Sequence, residues 1–160
     1  MKSLILFLSL ISSITYAEPI AMAENLAVDG KTAQQENKPI VFFMTAGHCP
    51  YCEQLREEYF QFSPSDERFI LREIELDEGP DLIGFNGDAS THRKVAKKHQ
   101  VFLTPTVVFV DSKGDEIVEP MVGVPTMEFY HFYFEQALEK AIAKVQPLST
   151  ADAAHDPIKE

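Results

Sequence analysis

The chain has 160 residues, 45% of them apolar, and a formal net charge of −11. That length suits one domain with a sizeable core. The acidity argues against nucleic acid and anionic membrane surfaces as partners.

Lys2, the apolar run from Leu4 to Ile14 and the small residues of Thr15-Tyr16-Ala17 read as a cleavable export signal. Ala21-Met22-Ala23 is a second, more distant cleavage site, giving an alternative end at residue 23. The apolar run falls short of the ~20 residues that span a bilayer, so no stable membrane insertion is expected after cleavage. Removing residues 1–17 leaves 160 − 17 = 143 residues, and the loss of Lys2 takes the charge from −11 to −12. Export places the protein in the periplasm, where thiols meet an oxidising environment.

Residues 18–38 are polar and alanine-rich, an extension with a weak helix over 25–37 interrupted by Gly30. Pro39 to Thr45 is continuously apolar, as a strand covered on both faces should be. A helix opens at Cys49 and runs to about Phe60, with Leu55, Tyr59 and Phe62 directed inward. Ser63-Pro64 interrupts it, and Phe69 to Leu76 forms a second strand. Residues 77–88 hold three glycines and a proline and read as a loop.

Ser90 or Thr91 caps a short basic helix over 92–99 whose charges form a solvated face. In Val101 to Asp111 the second half is β-branched and aromatic, the strongest strand signal in the chain. Ser112 to Asp115 turns the chain into a strand over Glu116 to Val122, ended by Gly123. Thr126 opens a last helix reaching Val145, on which Phe129, Phe132 and Tyr133 form one stripe expected to pack on the sheet. Residues 146–160 read as a disordered tail. The compact domain is thus expected over 39–145.

The chemistry concentrates at His48-Cys49-Pro50-Tyr51-Cys52, which holds the only two cysteines. A thiol at a helix start lies among unpaired N–H groups at the positive end of the dipole, so its thiolate is favoured. The second thiol, one turn on, can close a disulfide with it. So small a loop removes little entropy from the unfolded chain, so the spacing favours redox chemistry over structural stapling. Cys49 is the expected nucleophile and Cys52 the resolving thiol. His48 as imidazolium would stabilise the Cys49 thiolate, and Pro50 suits the first helical turn. A competing reading uses both cysteines and His48 as copper or zinc ligands in a binding module. His92 and His99 share a helix face, but nothing in the sequence brings them to the cysteines.

Cys49-Pro50-Tyr51-Cys52 before a helix, Thr104-Pro105-Thr106 opening a strand, a glycine-containing hairpin and Gly123 before the last helix together resemble the thioredoxin superfamily. A C-x-x-C beside a βαβ pattern is that superfamily's sequence cue. The likeness is to exported bacterial thiol–disulfide interchange proteins, including those of sulfur-oxidation systems. It implies an α/β thioredoxin fold, a central mixed sheet in the order β-α-β-α-β-β-α flanked by helices. It also implies a thiol–disulfide oxidoreductase acting on exported proteins without a cofactor or metal, re-reduced by a membrane electron-transfer protein. By the same resemblance the bond before Pro105 is cis and exposes the Thr104 backbone to substrate, while Tyr51 tunes the pair. Thioredoxins carry a buried aspartate where this chain has Phe43, and Glu73 on the neighbouring strand is the substitute carboxylate. If buried near Cys52, Glu73 would have a raised pKa and could take that thiol's proton. The direction of electron flow stays open between reductase and net oxidase.

Overall fold

The computed structural model describes residues 19–77 and 79–146. The export signal, all but the first residue of the expected tail, and the side chain of Phe62 lie outside the described residues. The elements are α1 (Leu26–Glu36), β1 (Ile40–Thr45), α2 (Pro50–Glu58), a 3-10 turn (Phe60–Ser65), β2 (Ile70–Glu75), β3 (Asp81–Ile83) and β4 (Ala89–Thr91). They continue with α3 (His92–Lys98), β5 (Thr106–Val110), β6 (Met121–Val122) and α4 (Met127–Val145).

The sheet runs β2-β1-β5-β6. β1 pairs parallel to β2 and antiparallel to β5, and β5 pairs antiparallel to β6. This is the mixed α/β sheet expected of a thioredoxin fold. Every residue of β1 is buried, because helices cover both faces. Side chains alternate between two layers. Val41 and Phe43 pack with Leu55 of α2 and with Tyr130, Phe134 and Leu138 of α4. Ile40, Phe42 and Met44 pack with Leu26 and Ala33 of α1 and with Val95 and Ala96 of α3.

The N-terminal segment is part of this core rather than an extension to it. Ile20, Ala23 and Leu26 are buried. The Ala23 N–H donates to the Glu73 carbonyl at 2.9 Å, and the Glu73 N–H donates to the Ala21 carbonyl at 2.9 Å, adding a short parallel bridge at the β2 edge. Asn25 caps α1 through its side chain, which accepts from the Val28 N–H, and Asn37 ends it in the left-handed region. Gly30 does not weaken α1 as its sequence position suggests. A Cβ there would lie 2.4 Å from the Ser112 carbonyl, so glycine is what lets α1 approach the turn after β5.

Three further expectations need correction. The loop over 77–88 contains β3, which pairs with β4 and buries Leu82. These strands are three residues each, too short for a periodicity signal. The strand expected over 116–122 is broken. Glu116 makes an isolated bridge to Val110, and regular pairing resumes only at Met121. Pro120 has no N–H to give a ladder. On α4 the stripe of Phe129, Phe132 and Tyr133 faces outward, each about half exposed, at 55%, 56% and 48%. The buried line is Tyr130, Phe134, Ala137, Leu138 and Ala141. A run of consecutive aromatics fits two helical phases equally, and only the small Ala137 and Ala141 marked which one meets the sheet.

Candidate active site

β1 ends at Thr45, and three residues carry the chain to the cysteines. His48 takes a left-handed conformation, φ 58°, and is exposed. That tight turn, tolerated better by histidine than by β-branched residues, swings the backbone from strand to helix. Cys49 is the N-cap of α2, and its sulfur accepts from the Cys52 N–H at 3.2 Å. Pro50 fills the first turn, where no donor is needed. Cys49 and Cys52 are joined in a disulfide with their Cα atoms 5.2 Å apart. Cys49 is partly exposed, whereas Cys52 is 1% exposed beneath the helix. Of the two, Cys49 is thus the more accessible residue. Tyr51, between them, is 60% exposed.

The loop before β5 comes to the same end of the sheet. Met44 is opposite Thr106, so Pro105 sits beside the end of β1 where the cysteine loop departs. The Thr104–Pro105 peptide bond is cis. The Gly123 N–H donates to the Pro105 carbonyl at 2.8 Å, and the Thr106 hydroxyl donates to the Leu103 carbonyl at 2.8 Å, fixing this loop against its neighbours. Gly123 itself has φ 71°, which favours glycine. Phe102, Leu103 and Val122 are exposed at 80%, 66% and 55%. With Tyr51 of α2 they give the surface at this end of the sheet an apolar character that the sequence alone did not reveal. A short apolar run looks like core until the fold shows which members face out.

Glu73 is buried on the α2 side of the sheet, in register with Phe43. Its Oε1 accepts from the Thr45 hydroxyl at 2.7 Å and also receives the Arg56 guanidinium. Arg56 lies one turn beyond Cys52, bridges to Glu53 at 2.6 Å and stands 5.9 Å over the Phe43 ring. Burial disfavours its charge, but hydrogen bonds to Glu53 and Glu73 outweigh that and raise its pKa. The structure thus commits the Glu73 carboxylate to a guanidinium and a hydroxyl.

His92 of α3 and His99, which caps its C-terminus, sit on a buried seam away from the cysteines. His92 Nδ1 accepts from the Glu75 N–H at 2.9 Å, and its Nε2 lies 2.9 Å from the Ala23 carbonyl. His99 Nδ1 lies 2.8 Å from Glu116. The basic side chains of α3 are solvated as expected, but both histidines are buried. Among the described residues no three His, Cys, Asp or Glu side chains gather as metal ligands would.

The thioredoxin-like domain family matches residues 26–142. No curated protein matches the chain. Among solved structures, the oxidoreductase DsbH superposes with a TM-score of 0.56 at 18% identity, over 82% of this chain and 92% of its own. Thioredoxin f from spinach chloroplast gives a TM-score of 0.53 at 13% identity, over 80% of this chain and 98% of its own. Oxidised thioredoxin O2 from Arabidopsis thaliana gives 0.50 at 18%, over 75% and 95%. At such identities the likeness to these structures is one of fold. With more than half its length matched and a Cys-x-x-Cys disulfide capping α2, the chain belongs to the thioredoxin-like domain family and is a thiol–disulfide oxidoreductase.

Proposed function

We propose that this enzyme is exported and reduces or exchanges disulfides of other exported proteins. The observation that carries the reading is the asymmetry of the pair: Cys49 is partly exposed at a helix start, and Cys52 is buried behind it. The Cys49 thiolate attacks one sulfur of a client disulfide, and the client's other sulfur leaves as a thiolate and takes a proton. The Cys52 thiolate then attacks Cys49, closing the enzyme disulfide and releasing the second client thiol. Two electrons pass from the enzyme dithiol to the client. An electron-transfer protein of the membrane returns them.

Thr104 offers its backbone to an extended client segment, in the manner of an added strand. His48 adds positive charge beside Cys49 when protonated. Export follows from Lys2 and the apolar run of residues 4–14. Cleavage after Ala17 keeps residues 21–23 on the β2 edge, whereas cleavage after Ala23 removes that bridge.

Cys52→Ser is expected to accumulate mixed disulfides through Cys49, seen as adducts lost on reduction, while Cys49→Ser gives none. Trapping that requires Cys52 would reverse the two roles. A redox titration decides direction: a potential near −270 mV supports the reductase, whereas about −120 mV makes the protein a net oxidase.

A further inference from the structure

We infer that a groove beside the active site selects client segments in which an apolar side chain is accompanied by an acidic one. This rests on the client-reducing reading above and names the class of client. The groove is a cavity of about 590 Å³ between the end of β2 and α3. Leu76, Ala96 and Val101 line it, and the ring of Phe102 forms its wall. Phe102 is 80% exposed and stands two residues before Thr104. The Leu76 N–H donates to the Thr45 carbonyl at 2.8 Å, so the groove begins where the cysteine loop leaves β1. A segment laid against Thr104 can therefore reach it without leaving the sheet end.

Charge decides what accompanies the apolar side chain. Arg93 and Lys97 line the groove and are exposed, four residues apart on α3 and hence neighbours on one face. Three of the four arginines are bound to carboxylates: Arg56 to Glu53 and Glu73, Arg68 to Asp66 and Glu135, and Arg72 to Asp29. Neither Arg93 nor Lys97 has an ion-pair partner among the described residues. In a chain of net charge −11, two adjacent cations without an ion-pair partner among the described residues, beside an apolar wall, are complementary to a carboxylate on the occupant. Asp77 also lines the groove and lies near Gly47, so it repels an acid on the side of the cysteine loop and favours placing the client's acid toward Arg93 and Lys97.

The net charge makes the test decisive, because long-range attraction by an acidic protein favours a basic client. Two short disulfide-linked peptides serve as probes, each with leucines around its cysteine, one carrying glutamates and the other lysines. Reduction by the full mature protein is followed as kcat/KM at low salt. The glutamate peptide is expected to react about three- to five-fold faster, with the advantage lost at high salt. Arg93→Glu with Lys97→Glu should reverse the order, and Phe102→Ala should slow both peptides about tenfold. Faster reduction of the lysine peptide by the wild-type protein, or an order unmoved by the double reversal, overturns the groove assignment while leaving the reductase reading intact. Reduction of neither peptide overturns the reductase reading, and this inference with it.

Discussion

The two layers that sandwich the sheet are built differently. The α2/α4 layer is aromatic. Phe134 has ring contacts with Tyr59, Phe60, Phe69 and Phe109, at centroid distances from 5.1 to 5.8 Å. It also holds Cys52 and, at its margin, the Glu73–Arg56 pair. The α1/α3 layer is mainly aliphatic and is fastened by polar seams, His92 to the N-terminal segment and β2, and His99 to Glu116. The difference teaches where each demand is met. The buried Cys52 is set against a dense aromatic pack, whose rigidity comes from shape. The other layer anchors the segment around Ala23 and the stretch leading to Pro105, and directional hydrogen bonds do that with little area.

The contrast is broken most directly at Phe134. Phe134→Ala is expected to destabilise by about 3–5 kcal/mol, from lost burial and the cavity it leaves. Phe129→Ala on the outer face of the same helix should stay within about 0.5 kcal/mol. Urea denaturation of both variants measures the gap, and equal losses would dissolve the aromatic layer as an explanation.

The polar seam is tested by pH. Burial holds both imidazoles below their ordinary 6.5, against the pull of hydrogen bonds and nearby carboxylates. The unfolded chain therefore takes up protons that the fold refuses, so stability is complete above pH 6.5 and falls as the pH drops below it. Denaturation at pH 7.5 and 5.5 should show that fall. In His92→Ala the fall should shrink, with a further loss of about 2–3 kcal/mol at either pH from the orphaned Glu75 N–H and Ala23 carbonyl. A flat profile in the wild-type protein would remove the histidines from the account.

A smaller loss than at Phe134 or His92 is expected at Glu73→Gln. With the carboxylate already given to Arg56 and Thr45, the change should cost about 2 kcal/mol of stability and leave the pH dependence of mixed-disulfide resolution unaltered. A resolution rate that loses its pH dependence between 6 and 8 would instead assign Glu73 the Cys52 proton.

The cysteine pair, the proline opening its helix, the Thr-Pro before β5 and the run of β1 were legible in the chain. Each rests on local rules of spacing, capping and periodicity that act within a few residues. What tertiary structure alone decided was which face of an ambiguous run turns inward. Phe129, Phe132 and Tyr133 went out and Tyr130 and Phe134 in, because two flat alanines let α4 settle on the sheet. Long-range pairing likewise drew residues 21–23 onto β2, buried His92 and His99, and matched Arg56 with Glu73. These contacts join residues far apart in the chain, and no short-range pattern records which distant partner satisfies a buried charge or hydrogen-bond donor.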